Sequence, residues 1–389
     1  MAIENWVAQH VESLTAFRRD LHENPELLYD LPRTAATVAD ALRAAGVDEV
    51  VEGIGKTGVV GVIRGQTNTS GRTIGLRSDM DALPIVEATG KPWASKVDGK
   101  MHACGHDGHT AMLLGAARHL AESRAFDGTV IVIFQPAEEG GAGAKAMIDD
   151  GLFTRWPCNE VYGMHNRPNL PVGQFTIAPG PIMGSVDEIR ITIEGRGGHA
   201  ARPDSTIDSF PIAAALIQSI QTIVSRTVDP MDNAVVSLCT IHAGNAFNVI
   251  PQTIEMTGTV RTLREEVREH IEAQLASLVP SIAAGFGATA TLEYIRMYPV
   301  TVNHAHETDL AAAAAIEVAG EANVTLDMPP VLGGEDFSFM LNEVPGAMIN
   351  IGNGPSAGLH HPEYDFNDDV IAWGCSYWTT LVRQRLPAG

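Results

Sequence analysis

The sequence predicts an α/β protein. A mixed, mostly parallel sheet is sandwiched by helices and interrupted by a smaller inserted α+β domain. Three observations predict this. Strand and helix patterns alternate through the first half of the 389 residues, as in a parallel sheet covered on both faces. Around Met183 the order changes to strand, helix, two strands, helix, strand, the split βαβ or ferredoxin-like arrangement. After Pro299 the first pattern resumes. The expected boundaries are 1–183 with 298–389 for the larger, discontinuous domain and 184–297 for the insert.

The elements follow from periodicity and punctuation. The spacing predicts helices over Ile3 to Glu23 and Thr34 to Ala45, then strands over Thr57–Gly65 and Arg72–Asp81. "GHTAMLLGAARHLAES" reads as a helix, "GTVIVIFQP" as a buried strand, "GAKAMIDDG" as a helix with a glycine stop, and "EVYGMHN" as a short strand. In the insert, "SVDEIRITIEG" alternates like a half-buried strand. "STIDSFPIAAALIQSIQTIVSR" is a long amphipathic helix with a Ser/Asp-rich start. "NAVVSLCTIHAG" and "IPQTIEMTGTVRT" are strands, "EEVREHIEAQLASLVPSIAAGFG" a helix and "ATATLEYIRMYP" a strand. An alanine-rich helix (Thr308–Ala319), the strand "GAMINIG" and a closing helix after Asp365 complete the chain.

Composition excludes several classes. With 45% hydrophobic and 19% charged residues the chain is ordinary globular protein. Its formal net charge of -21 argues against nucleic acid and anionic membrane as partners. No apolar run approaches the roughly 18 residues that span a bilayer. The N-terminal segment is a charged amphipathic helix rather than a signal peptide, so a cytoplasmic location is expected. The four cysteines are scattered without a CxxC pair, which fits a reducing compartment. Cys158, Cys239 and Cys375 are expected to be plain buried thiols.

Cys104 differs, because it sits in "MHACGHDGHTAML" beside His106 and His109. Other polar residues close the neighbouring strands: Asp79 and Asp81 in "GLRSDMDALP", Glu138 and Glu139 in "IVIFQPAEEGG", His165 in "VYGMHNRP". In open α/β sheets, ligands bind beyond the carboxyl ends of the strands. The distant "LHHPEYDFND" adds His360 and His361. Taken singly, each has a bland explanation: a solvated Glu-Glu pair, a packed histidine, turn aspartates before Pro84. Together they suit a transition metal, or two sharing a ligand, as thiolate, imidazole and carboxylate donors hold zinc or manganese. Paired ions recur in hydrolases, where they activate water. In the Glu138-Glu139 doublet, one carboxylate can bind metal while its neighbour moves a proton.

The set "DMDALP", "HACGHDGH", "QPAEEG", "GMHNRP", "GGHAARPD", "FNVIP", "GGEDFS" and "LHHPEYDFND" resembles the M20 metallopeptidase superfamily. Within it, the set is similar to the aminoacylase, hippurate hydrolase and auxin-conjugate hydrolase branch. The motifs stand in family order over most of the chain. The resemblance implies a catalytic metal-binding domain carrying an inserted lid and dimerisation domain. It implies Cys104, His106, Glu139, His165 and His360 as metal ligands, Glu138 as the general acid/base and Asp81 as the residue that orients the site. His199 matches a histidine that stabilises the oxyanion, often across a dimer, Asn248 a second substrate contact, and Arg261 a partner for a substrate carboxylate. Asp79 stands where many members of the wider superfamily carry histidine, which favours manganese alongside zinc, with cobalt or nickel as in-vitro substitutes.

The function implied is metal-dependent hydrolysis of N-acyl amino acids, hippurate-like or otherwise, by a homodimer or tetramer joined through the lid. N-acetyl-diaminopimelate deacetylation and dipeptide or carboxypeptidase-type hydrolysis are the alternatives. A non-catalytic metal-binding module would not need Glu138, His199 and Asn248. A thiol enzyme built on Cys104 would leave the carboxylates without a role. Met183, Phe247 and Met340 are acyl-pocket candidates by their proximity to motifs.

Overall fold

The computed structural model describes residues 3–388. The chain forms two compact units, one of residues up to Gly180 with Val302–Pro329 and the segment from Asp336 onward, the other of Pro181–Thr301 with Pro330–Glu335. The larger unit is built on an eight-stranded sheet. Its strands lie in the order Glu49–Ile54, Gly58–Arg64, Thr129–Gln135, Thr73–Asp79, Glu160–Pro168, Gly346–Gly354, Phe175–Thr176, Val324–Thr325. The four central strands, from Thr129–Gln135 to Gly346–Gly354, are mutually parallel. They are almost continuously buried, as strands covered on both faces must be. Helices Asn5–Glu23, His106–Ser123 and Val370–Arg385 pack on one another, with Leu14, Met112, Ala116, Trp378 and Leu381 in the shared core.

Three strands of this sheet escape the periodic pattern. Glu49–Ile54 pairs antiparallel at the sheet edge, is half-buried over its first three residues, and is broken by a register shift between Glu52 and Ile54. Phe175–Thr176 and Val324–Thr325 are two residues each, too short to carry a period. The strand expected to reach Asp81 ends at Asp79, and Asp81 lies in the turn beyond it. The closing helix begins at Val370.

The smaller unit is a four-stranded antiparallel sheet in the order Ala234–Ala243, Thr253–Thr262, Val186–Glu194, Thr289–Tyr298. Helices Ser209–Thr227 and Glu265–Gly285 cover the face carrying Ile189, Ile191, Ile193, Ile254 and Met256. This is the ferredoxin-like order read from the sequence. The first helix starts where its Ser/Asp-rich lead predicts, the Asp208 side chain accepting the Phe210 N–H as an N-cap. Among the described residues no helix is long and apolar enough to cross a membrane. The cysteine expectation holds for Cys375 but not throughout, since Cys158 is half-buried and Cys239 is exposed on the outer strand Ala234–Ala243.

Candidate metal centre

The carboxyl ends of the parallel strands deliver the polar residues to one place. Ala137 takes a left-handed conformation (φ 54°) directly after the strand Thr129–Gln135, turning the chain so that Glu138 and Glu139 follow. A non-glycine residue in this region costs about 1–2 kcal/mol, a strain that marks functional turns. The buried Asp81 carboxylate holds that turn. Its Oδ1 accepts the Glu138 N–H at 3.0 Å and its Oδ2 the Glu139 N–H at 3.1 Å.

Cys104 and His106 flank Gly105, the left-handed N-cap (φ 91°) of helix His106–Ser123. A Cβ at Gly105 would meet the Tyr364 hydroxyl at 2.6 Å, so only glycine fits. His106 donates Nδ1–H to the Asp81 carbonyl at 2.8 Å, which turns Nε2 inward. His165 donates Nδ1–H to the Asn166 carbonyl at 2.7 Å and places Nε2 3.4 Å from Cys104 Sγ. His360, itself at φ 64°, donates its backbone N–H to Ala103 and sets Nε2 3.3 Å from Glu139 Oε1, though without hydrogen-bond alignment. His361 stays outside, its Nδ1 accepting the Glu363 N–H.

Three of the overlapping groups join predicted site residues only: Cys104 with His106 and His165; Cys104 with Glu139 and His360; His106 with Glu138 and Glu139. In each, the donor atoms lie within 4.8 Å of one another. Two neighbouring cations sharing donors would satisfy that overlap. The residues fit such a group on further grounds. His106 Nε2 and Glu139 Oε1, 3.9 Å apart, are both buried and without a hydrogen-bond partner. Burial and the Glu139 carboxylate push the Cys104 thiol well above its usual range. Burial works against a charge on His106, yet Asp79 and Cys104 raise its proton affinity well above normal. The cluster therefore calls for positive charge at its centre, which a cation supplies and which would stabilise Cys104 as thiolate.

Asp79 and His109 belong to the surrounding shell, and the sequence did not place His109. Its Nδ1–H donates to Asp79 Oδ1 at 2.6 Å, and its Nε2 accepts the Asn166 N–H at 2.9 Å. Both ring nitrogens are thus engaged. Burial outweighs Asp79 and lowers the ring to about 4, so it stays neutral. Asp79 is held in turn by Arg77 Nη1 at 3.0 Å. Asn166 donates to the Cys104 carbonyl at 2.6 Å and accepts from the Tyr364 hydroxyl at 2.6 Å, bracing the loop that carries Cys104 and His106. Metal sites depend on such second contacts for ligand orientation.

The remaining predicted residues lie in the smaller unit. His199 and Val249 pair on adjacent short strands, and the Ala200 N–H donates to the Asn248 carbonyl at 3.1 Å, bringing His199 and Asn248 together on its surface. His199 Nδ1 accepts the Ala201 N–H at 3.1 Å, so the neutral ring carries its proton on Nε2 and presents a donor. Arg261 is half-buried on strand Thr253–Thr262, its Nε donating to Thr259 at 3.2 Å. Of the acyl-pocket candidates, Met340 is fully buried in the core and cannot line a pocket, while Phe247 is fully exposed.

Residues 75–384 match the peptidase family M20/M25/M40, most of the chain. The chain belongs to this family. Over 369 residues it is 42% identical to the Campylobacter jejuni protein named hippurate hydrolase, covering 95% of both chains. It is 39% identical over 370 residues to the N-acetylcysteine deacetylase of Bacillus subtilis, covering 95% of this chain and 96% of that one. A Bacillus subtilis crystal structure described as a dinuclear metal-binding peptidase of the M20 family superposes with a TM-score of 0.85 at 35% identity. That match covers 98% of this chain and 100% of the other. This M20 chain is accordingly a metal-binding hydrolase that acts on amides.

Proposed function

We propose that the protein hydrolyses the amide bond of N-acyl amino acids, with Cys104, His106, Glu139, His165 and His360 holding two divalent ions, manganese or zinc. The observation that carries this reading is the convergence of those five side chains around two facing buried atoms without a hydrogen-bond partner, His106 Nε2 and Glu139 Oε1. When bound, the ions supply Lewis acidity toward water and the substrate carbonyl. Glu138 takes a proton from the attacking water and returns it to the departing nitrogen. The C–N bond breaks as water contributes OH to the acyl group and H to the amine. Asp81 fixes both glutamates through their backbone, so the general base sits next to a ligand without sharing its task. The Nε2–H of His199 and the amide of Asn248 stabilise the developing oxyanion, each worth roughly 3 kcal/mol where such donors have been removed elsewhere. Arg261 receives the substrate carboxylate. Its lack of a carboxylate partner within 4.0 Å among the described residues supports that role.

The protein works on small molecules in the cytoplasm, without nucleic acid or membrane partners. It is a homodimer through the smaller unit, where the strand Ala234–Ala243 leaves one edge open and exposes Val235 and Ile241. The test is free-amine release from a panel of N-acyl amino acids, after chelator treatment and resupply of Mn²⁺, Zn²⁺ or Co²⁺. Glu138→Gln should keep its metal content and lose turnover by roughly 10²–10⁴-fold. Near-wild-type turnover in that variant ends the acid/base assignment.

A further inference from the structure

Of the motifs read in the sequence, "GGEDFS" (Gly333–Ser338) supplies no ligand, base or substrate contact. Its Asp336 is buried in the larger unit, at the start of helix Phe337–Glu343. Asp336 Oδ1 accepts Arg77 Nη2 at 3.0 Å and Gln135 Nε2 at 2.7 Å. Its Oδ2 accepts the Ala144 N–H at 2.9 Å and shares the Gln135 amide, also at 2.9 Å. Gln135 closes the network, its Oε1 accepting Arg77 Nε at 2.8 Å. Both oxygens of Asp336 are spent in this way, which makes it an anchor rather than a ligand or a base. Even so, its carboxylate comes within 4.8 Å of the Glu138 carboxylate.

The anchored groups sit at decisive points. Gln135 ends the strand Thr129–Gln135, and Ala144 lies in the first turn of helix Gly143–Asp149. The segment between them carries Glu138 and Glu139. Asp336 therefore pins both ends of the turn whose middle Asp81 holds. Arg77 extends that hold to the other half of the centre. Its Nη1 bonds Asp79 at 3.0 Å, Asp79 accepts from His109, and His109 accepts the N–H of Asn166, the residue after His165. One guanidinium thus ties the glutamate turn to the shell behind the histidines.

Stability alone does not account for this arrangement. Arg77, Asp79 and Asp336 place three charged side chains in the interior, none of them exposed. Desolvating such charges costs several kcal/mol each, and apolar replacements of buried ion pairs are often neutral or stabilising. What a forked guanidinium adds is direction. Catalysis depends on it, since a misplacement of about 1 Å can cost roughly a hundred-fold in rate. We propose that Arg77 and Asp336 are positioning residues that set Glu138 against the proposed ligands Cys104, His106 and His165, an inference that rests on the reaction proposed above.

The experiment uses the metal-loaded protein and its best substrate from the N-acyl amino acid panel. Asp336→Asn keeps the shape, but an amide oxygen can serve Ala144 or the Arg77 and Gln135 donors, not both sides. The kcat should fall roughly ten- to a hundred-fold, with KM within about three-fold and metal content per chain as in the wild type. Hydrogen–deuterium exchange should quicken in the peptide 136–144 and keep its rate in the peptide 101–113. Gln135→Met, which removes no charge, should give the same pattern more weakly. Wild-type kcat in both variants overturns the proposal. So does a fall in kcat matched by lost metal, or by faster exchange throughout the larger unit, because either would mean that the network only stabilises the fold. If the wild type releases amine from no N-acyl amino acid, the reaction falls and exchange decides alone. Selective loosening of 136–144 then sustains the hold of Asp336 on the turn, and unchanged exchange there ends it.

Discussion

Asp81→Asn is the sharpest test of how the site is held. The substitution keeps size and shape and removes one acceptor. In the native protein the two carboxylate oxygens take the Glu138 and Glu139 N–H groups at 3.0 and 3.1 Å, in a fully buried setting. An asparagine can offer its oxygen to only one of them, and its NH2 group then faces the other donor. The loss is one charge-assisted hydrogen bond whose buried N–H is left without an acceptor, about 2–4 kcal/mol. That corresponds to a fall of roughly 4–8 °C in the unfolding temperature of a unit of this size. The function should suffer more than the fold, because the released turn carries both the proposed base and a proposed ligand. We expect kcat/KM to drop at least a hundred-fold, with weaker metal retention during dialysis against a fixed free-ion concentration. Differential scanning calorimetry, metal analysis and amine release measure the three effects. A variant with wild-type unfolding temperature and kcat/KM within two-fold would refute the idea that Asp81 organises the site through these two bonds.

Other perturbations have equally definite outcomes. Gly105→Ala places a Cβ 2.6 Å from the Tyr364 hydroxyl in a left-handed turn. It should cost about 2–5 kcal/mol in urea unfolding and strip the metal, whereas retained metal would show that the ligand loop tolerates the shift. Chelation should lower the unfolding temperature and re-addition of Mn²⁺ or Zn²⁺ should restore it, since the buried Cys104, Glu139 and His106 group lacks its counter-charge without an ion. The buried His22 should give an alkaline signature. Burial would lower its proton affinity, but the Asp107 carboxylate at 2.8 Å raises it from 6.5 to about 9. A raised value in the folded state stabilises fully below about pH 6.5 and is lost as pH rises through about 9. Two and a half pH units, at about 1.36 kcal/mol each, set an upper bound of about 3 kcal/mol. The stability gap between wild type and His22→Gln should therefore narrow between pH 7 and pH 10, and a constant gap would contradict the ion pair.

What the sequence reveals about this site depends on how local the chemistry is. Cys104 and His106 are two residues apart and Glu138 and Glu139 are adjacent, so each group announces itself in a short string. Strand alternation then places those strings at neighbouring strand ends, because each parallel strand presents its carboxyl end at the same edge. The supporting shell has no such string. His109, Asn166 and Tyr364 form one network around the Cys104 carbonyl, yet Asn166 is 57 residues from His109 and 198 from Tyr364. His109 is the instructive residue. By spacing it looks as good a ligand as His106, and its ring lies 5.5 Å from that of His106. Only the partners separate them: both nitrogens of His109 are spent on Asp79 and Asn166, whereas Nε2 of His106 has none.

The same reasoning explains why substrate choice is the least legible property of the chain. Ligands and the proposed base must meet fixed distances, which confines them to motifs on rigid strand ends. Groups that recognise the rest of a substrate need only line the adjoining space, and they come from whichever segments reach it. Relatives about 40% identical to this chain can therefore bear names as different as hippurate hydrolase and N-acetylcysteine deacetylase. Identity over the whole chain weighs every position equally, whereas selectivity rests on the few side chains that line the substrate's space.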